Sequence, residues 1–151
     1  MSELVILEGT SKWAKVFESN RDPGGTDSNG NVYPEATTIE LILDQDELKK
    51  LSTAYPRVKP KIGDDGMFVK IRRQWSNPIA DRGGAPRVTD AEGNLMDGSV
   101  LIGDGSKVQV VVEVYPTKHG GAMRLAAVKV LELVEYEGEG DIQPVELPEG
   151  F

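Results

Sequence analysis

The chain has 151 residues, a formal net charge of −8 and no cysteine. This length suits one domain with a single hydrophobic core. The lack of cysteine excludes disulfides and thiolate metal sites, and it is compatible with a reducing cytoplasm. The sequence has no run of about 18 apolar residues and no basic, cleavable amino terminus, so we expect neither a membrane span nor a signal peptide.

The charges are unevenly distributed along the chain. Eight basic and three acidic residues lie between Arg57 and Arg87, which gives this segment a net charge of +5. After Lys129 there are seven acidic residues and no basic one. Because the distribution of charge matters more than its sum, the overall acidity does not exclude a nucleic-acid-binding middle segment.

Two strands and a helix are predicted in the first third of the chain. Residues 12–17 and 37–43 alternate as strands do, whereas the Gly, Pro and Asn content of residues 20–35 indicates a loop. Trp13 is expected in the core, with a stacking role beside Lys12 and Lys15 as the alternative. Asp44 is a predicted helix N-cap, followed by a short helix with an apolar stripe.

Residues 67–75 form the most informative predicted strand. Strict alternation places Lys70 and Arg72 on one face with Phe68 and Gln74; the other face carries Met67, Val69, Ile71, Arg73 and Trp75. A row of cations beside an aromatic ring suits a phosphodiester backbone whose bases stack nearby. The alternatives are a solvated edge strand for the cations and a core or rim position for Trp75.

The remaining elements complete a mostly β inventory. Residues 87–90 and 107–115 are predicted strands, and a Gly-rich hairpin at 116–121 leads into a long strand at 123–136. Both faces of that last strand are apolar, so its register stays open, and a helix is the alternative there. At least five strands, one short helix and long loops predict a five-stranded OB-fold-like barrel, with a β-sandwich as the second choice.

The order of several segments resembles the single-stranded DNA-binding (helix-destabilising) proteins of tailed bacteriophages. The resemblance is carried by these stretches: Asn31-Val-Tyr33, Ile39-Glu-Leu-Ile-Leu43, Gly66-Met-Phe-Val-Lys-Ile-Arg72, Val88-Thr-Asp-Ala-Glu-Gly-Asn-Leu-Met96, Ile102-Gly-Asp-Gly-Ser-Lys-Val108, Val114-Tyr115 and Leu131-Glu-Leu-Val134. An acidic carboxyl terminus that ends in the aromatic Phe151 is a further shared mark. The helix after the second strand and the acidic tail are both shorter than in the family.

The resemblance implies an OB-fold domain at residues 1–136 and a flexible acidic tail at residues 137–151. It implies a protein that coats and protects single-stranded DNA without sequence specificity during phage replication, recombination and repair, in the cytoplasm of the infected bacterial host. The tail, through Phe151, would engage a phage DNA polymerase or other replication proteins. The sequence leaves the oligomeric state open, including a homo-oligomer.

The predicted DNA-binding residues are cations and aromatic side chains. Lys70 and Arg72 would contact phosphates, and Tyr115 would stack on a base, with rim packing as its alternative. Tyr33 would stack or anchor the long loop. The full set is Lys12, Lys15, Tyr33, Lys70, Arg72, Arg73, Trp75, Lys107, Tyr115 and Lys118.

We predict no catalytic residue, metal or cofactor. His119 is the only histidine, so neither a histidine-based triad nor a multi-histidine metal site can form. The Gly-rich turn at residues 102–106 lacks the helix that a phosphate-binding loop needs. The alternative function is a non-enzymatic β-barrel or β-sandwich structural protein, such as a virion component. That alternative does not explain a basic middle opposed to an acidic end.

Overall fold

The computed structural model describes residues 2–76, 83–118 and 120–135, except for the side chain of Tyr33. The predicted tail at residues 137–151, with Phe151, lies outside the described residues. Residues 77–82 lie outside them as well, together with His119 and Tyr136.

The described chain is mostly β-structure with one α-helix. In chain order the elements are β1 (Glu3–Lys15), a one-turn 3-10 helix (Glu18–Asn20), β2 (Gly25–Thr26), β3 (Val32–Tyr33), β4 (Ala36–Ile42), α1 (Gln45–Ala54), β5 (Lys61–Gly63), β6 (Gly66–Gln74), β7 (Arg87–Thr89), β8 (Lys107–Thr117) and β9 (Gly120–Glu132). No helix in the described part of the chain is long and apolar enough to cross a membrane.

Seven strands form one curled sheet in the order β5-β6-β4-β1-β8-β9-β7, and β2 pairs with β3 separately. β1 pairs with β8 through its first half and with β4 through its second half, and Thr10 pairs with both neighbours. Gly9 lies at this exchange, where a Cβ atom would collide with the carbonyl oxygen of Ile42. The absence of a side chain therefore lets β1 serve both halves of the sheet.

The curl brings β6 and β9 side by side at the open seam of the sheet. Nη1 of Arg73 donates to the carbonyl oxygen of Leu125 at 3.2 Å, and no backbone ladder joins these two strands among the described residues. The OB-fold is a partly open barrel, so the predicted mostly β, OB-like fold with one short helix is confirmed. The sheet has seven strands, and the predicted barrel has five, because the short strands β5 and β7 are added at its edges.

The core lies inside the curl. The alternation predicted for β8 is confirmed, because Val108, Val110, Val112 and Val114 are all buried. The sequence left undecided which face of β9 points inward, and a bulge explains why. Val111 pairs with Ala127 and Val112 with Leu125, so Ala126 is an extra residue. Leu125 is therefore buried from one predicted face, and Val128 and Val130 from the other.

The helix follows its predicted start. Oδ1 of Asp44 accepts from the backbone N–H of Glu47 at 2.9 Å, as an N-cap does. The Glu47 carboxylate accepts from the backbone N–H of Glu8 in β1 at 3.1 Å. This contact and the fully buried Leu51 hold α1 against β1.

Three elements differ from the expectations. β1 begins at Glu3, well before the predicted start at residue 12, and a β2–β3 hairpin lies within the predicted loop at residues 20–35. β5 lies between α1 and β6, where the sequence predicts no strand. The start of β1 pairs with β8, β5 pairs with β6, and β2 and β3 pair with each other. Local residue patterns do not reveal such pairing partners.

Candidate nucleic-acid interface

β6 presents cations outward and apolar residues inward, as its alternation predicts. Val69 and Ile71 are buried, whereas Lys70 and Arg72 are exposed. Arg73 faces inward and is half-buried; its Nε and Nη2 atoms donate to the carbonyl oxygen of Gly83 at 3.2 and 3.0 Å. Burial, together with nearby Arg124, lowers the pKa of Arg73. Arg73 therefore lies at the seam of the sheet and away from the outward row of cations.

The strand register extends the outward row of β6 across β4 to β1. Lys12 pairs with Glu40, which pairs with Lys70. Two residues away on β4, Thr38 pairs with Lys15 on one side and with Arg72 on the other. Paired residues on antiparallel strands point to the same side, so Lys12, Lys15, Lys70 and Arg72 share one surface, which we call the cationic face. Successive strands lie about 4.8 Å apart, so its two sides are separated by about 10 Å.

Two cations of this face already have polar partners within the protein. Nζ of Lys12 lies 2.8 Å from Oδ2 of Asp65, and this hydrogen bond raises the pKa of Lys12. Nη2 of Arg72 donates to the carbonyl oxygen of Pro34 at 3.3 Å. Both side chains remain accessible to solvent in part. These contacts orient the cations and leave the face positively charged.

Trp13 lies beside the cationic face and outside the core. Lys12 pairs with Glu40 and Lys15 with Thr38, so both Trp13 and Ala14 lie opposite the single residue Ile39. Ala14 is buried, and Trp13 is the bulged residue, 57% exposed. The expected core position of Trp13 is therefore wrong, because a bulge interrupts the alternation on which it was based.

Trp75, just after the end of β6, contacts the long segment that precedes β4. The guanidinium carbon of Arg21 lies 4.5 Å from the Trp75 ring centroid, and Nε of Arg21 donates to Glu35 at 2.8 Å. One face of the half-buried Trp75 ring is thus covered by Arg21, a typical cation–π arrangement. Tyr33 pairs with Gly25 in the nearby β2–β3 hairpin.

A second group of side chains lies around the seam. Arg124 is buried, with its guanidinium carbon 4.3 Å from the ring centroid of Tyr115 and its Nε 2.5 Å from Oε1 of Glu113. Tyr115 is half-buried and belongs to this seam cluster rather than to the cationic face. Arg124 was not predicted as a functional residue, because the bulge in β9 changes the side of the strand to which residues point, and the sequence pattern does not show the bulge.

Lys107 and Lys118 lie at opposite ends of β8. Lys107 is exposed at the start of the strand, 3.6 Å from Glu132 on β9. Lys118 is exposed in the turn between β8 and β9. Neither residue is part of the cationic face as the register defines it.

A groove next to Lys70 contains functional candidates that the sequence did not single out. It has a volume of about 440 Å³. Its walls come from the segment after α1, from β6 and from β9: Tyr55, Arg57, Val58, Lys59, Val69, Lys70 and Met123. Arg57 and Lys59 were counted in the basic segment, but an irregular connection has no periodicity from which to infer which way a side chain points. The groove therefore extends the positive surface beyond β6.

The described residues include no group of three or more acidic or histidine side chains placed to hold a metal ion.

The chain has an OB-like fold with a cationic face on the outside of its sheet. Solved structures that share this fold are single-stranded DNA-binding proteins of bacteriophages. The crystal structure of gp2.5, a single-stranded DNA-binding protein encoded by bacteriophage T7, matches with a TM-score of 0.60 at 18% identity, over 100% of this chain and 98% of that chain. The single-stranded DNA-binding protein of bacteriophage Enc34 matches with a TM-score of 0.53 at 14% identity, over 92% of this chain and 86% of that chain. Its C-terminally truncated form gives 0.52 at 16% identity, over 88% and 87%.

No protein-family model and no curated protein sequence matches the chain. At these identities the structural matches establish the fold. They confirm, at the level of the fold, the resemblance to the phage proteins that the order of sequence segments indicates.

Proposed function

We propose that this chain binds single-stranded DNA without sequence specificity; the structurally similar phage proteins are described as single-stranded DNA-binding proteins. The observation that carries the proposal is the cationic face, with an exposed tryptophan beside it on the outer side of β1, β4 and β6. A positive surface bordered by aromatic rings binds single strands by backbone contacts and base stacking.

The geometry of the face suits an extended strand. Alternate residues on one side of a β-strand are about 6.5–7 Å apart, a spacing comparable to that of phosphates along extended single-stranded DNA. Lys70 and Arg72 would contact neighbouring phosphates on one side, and Lys12 and Lys15 would do so about 10 Å away across two strand spacings. Glu40 lies between them, so the phosphates would follow the two cationic rows and the bases would lie over the centre.

The groove next to Lys70 offers a continuation of the same path. Arg57 and Lys59 supply positive charge at its rim, and Tyr55 supplies an aromatic surface. A strand that crosses the cationic face over Lys70 would enter this groove.

The proposed biological role is to coat and protect single strands during phage replication, recombination and repair in the cytoplasm of the infected host. The role requires no catalytic group, metal or cofactor. A virion-type structural role is not favoured, since the similar solved structures are single-stranded DNA-binding proteins. Through the acidic segment at residues 137–151, and Phe151 in particular, the chain would also contact a DNA polymerase or another replication protein.

The direct test compares single-stranded and double-stranded oligonucleotides of equal length at two salt concentrations, by fluorescence anisotropy. We expect preferential binding of the single strand, with an affinity that falls steeply as salt rises because bound phosphates release counterions. Equal affinity for duplex, or an affinity independent of salt, would overturn the proposal.

A further inference from the structure

A tryptophan occupies a backbone position that favours glycine. Trp13 has a φ of 52°, and among the residues that the structure describes it is the only non-glycine residue with a positive φ. The left-handed region is unfavourable for a bulky side chain because its Cβ crowds the backbone. Bulges with a left-handed first residue usually have glycine there. The local sequence preference and the local structure therefore conflict at Trp13.

The turn at residues 103–106 holds Trp13 in this conformation. Oδ1 of Asp104 accepts from the backbone N–H of Trp13 at 2.8 Å. The turn is also joined to Ser11, two residues before Trp13 in β1, since the N–H of Gly105 donates to the carbonyl oxygen of Ser11 at 2.9 Å and the N–H of Ser11 donates to that of Ser106 at 2.8 Å. Hydrogen bonds from one turn thus hold both the bulged residue and the strand just before it.

Burial of the indole ring does not explain the unfavourable backbone. More than half of the Trp13 surface is exposed to solvent, so folding gains little from removing the ring from water. A hollow of about 80 Å³ opens beside it, with Ala14 and Ile102 among its lining residues. An exposed aromatic ring held by unfavourable backbone geometry is typical of a functional residue.

We propose that Trp13 is a stacking platform for one nucleobase and that Asp104 is the residue that positions it. The proposal rests on the single-stranded DNA binding proposed above and names the residue that engages the bases. Lys12 and Lys15 flank Trp13 in the chain and point to the cationic face, so they contact the phosphates on either side of the stacked base. Because every base has an aromatic face, this platform is tolerant of sequence.

The variant Trp13→Gly separates the stacking role from a structural one. Glycine adopts a positive φ at little cost, so we expect the variant to melt at the same temperature as the native chain or higher. We expect its affinity for an oligothymidylate to fall about 5- to 100-fold, the equivalent of one lost stacked base. Its affinity for an abasic oligonucleotide of the same length should stay within twofold of the native value, because that ligand offers phosphates and no base.

Three outcomes of this experiment are informative in different ways. If the native chain binds oligothymidylate and the variant binds it within twofold as well, the platform is wrong and the proposed DNA binding stands. If the native chain binds the abasic ligand as tightly as oligothymidylate, stacking is excluded and only backbone contacts remain. If the native chain binds neither ligand, both proposals are overturned.

A fluorescence measurement tests the platform without altering Trp13. The chain has two tryptophans, so Trp75→Phe leaves Trp13 as the only indole. Stacking predicts that oligothymidylate quenches its emission with the same midpoint as binding measured by anisotropy, and that the abasic ligand does not. Unchanged emission at saturating oligothymidylate would overturn the proposal.

Two substitutions at Asp104 test its positioning role. Asp104→Asn keeps an oxygen acceptor for the Trp13 N–H and removes a negative charge, so affinity should be unchanged or higher. Asp104→Ala removes the acceptor as well as the charge, and affinity should fall several-fold below that of Asp104→Asn. Equal affinities of the two variants would show that Asp104 acts through its charge alone and does not position the ring.

Discussion

Arg124 covers one face of the Tyr115 ring, with its guanidinium carbon 4.3 Å from the ring centroid and its Nε 2.5 Å from the Glu113 carboxylate. Arg124 is buried, so its charge depends on these two neighbours for its stabilisation. The aromatic residue predicted to stack on DNA is thus also part of the folded scaffold at the seam.

Arg124→Ala should lower the free energy of unfolding by about 3 kcal/mol, the lower end of the range for breaking a buried ion pair, because the Glu113 side chain is 24% exposed. Urea denaturation measures this change. The matched control is Lys107→Ala, which removes an exposed pair with Glu132 and should cost about 1 kcal/mol or less. A loss for Arg124→Ala no larger than that of the control would contradict the prediction.

Tyr115→Ala should lower the affinity for single-stranded DNA by about 1–3 kcal/mol, the size of one lost stacking contact, and Tyr115→Phe should be nearly neutral. Because Arg124 covers one face of the ring, a base would stack on the other. Because Tyr115→Ala also removes the contact with Arg124, circular dichroism must establish the folded fraction before anisotropy titrations are compared. Equal losses in the two variants would show that the hydroxyl group, rather than the ring, makes the contact.

Gly9→Ala should destabilise the fold by about 1–3 kcal/mol, as overpacking does. The added Cβ meets the carbonyl oxygen of Ile42, a backbone atom that cannot rotate away, where β1 exchanges β8 for β4. Gly121→Ala is the control, since its Cβ would lie 3.5 Å from the Tyr55 ring, an ordinary contact. Thermal denaturation measures both, and equal melting temperatures would mean that β1 can shift to accommodate the side chain.

Regular helices and strands could be predicted from the sequence because their polar and apolar side chains repeat with the period of the element. The valines of β8, the outward cations of β6 and the Asp44 N-cap follow rules that depend on neighbours in the chain. Trp13 and Arg124 could not be placed, because each lies at or near a bulge, and one extra residue reverses the faces that follow. The bulge in β1 is set by hydrogen bonds from a turn some ninety residues away in the chain, which local patterns do not contain.

The groove beside Lys70 was missed for a related reason. Its lining combines the irregular segment after α1 with β6 and β9, and only the curl of the sheet brings these parts together. Composition showed that Arg57 and Lys59 belong to a basic segment, and the tertiary structure determines which cations share one surface.

Deleting residues 137–151 should tighten binding to single-stranded DNA, most clearly at low salt. This segment has five acidic residues and no basic one, and a tethered acidic segment competes with DNA for a basic surface at high effective concentration. Anisotropy titrations at two salt concentrations measure the effect, and a pull-down tests whether the deletion also abolishes binding of the cognate polymerase. Unchanged low-salt affinity together with retained polymerase binding would leave the segment without either role.

The double variant Lys70→Ala, Arg72→Ala tests the cationic face most directly. Both side chains are exposed on β6, with Val69 and Ile71 buried between and beside them. Their removal should therefore leave the melting temperature nearly unchanged while the affinity for single-stranded DNA falls. Each lost phosphate contact lowers the slope of log affinity against log salt by about 0.7 on single strands, so the slope should fall by about 1.4.

The matched control is the double variant Arg87→Ala, Lys129→Ala. It removes the same net charge from exposed positions on β7 and β9, two strands that carry no residue of the cationic face. If binding depends on the geometry of the cationic face, the control keeps a salt slope close to the native value, because neither Arg87 nor Lys129 belongs to that face. If both double variants reduce the slope equally, net charge rather than the row of cations on β6 governs binding, and the assignment of phosphate contacts to Lys70 and Arg72 is wrong.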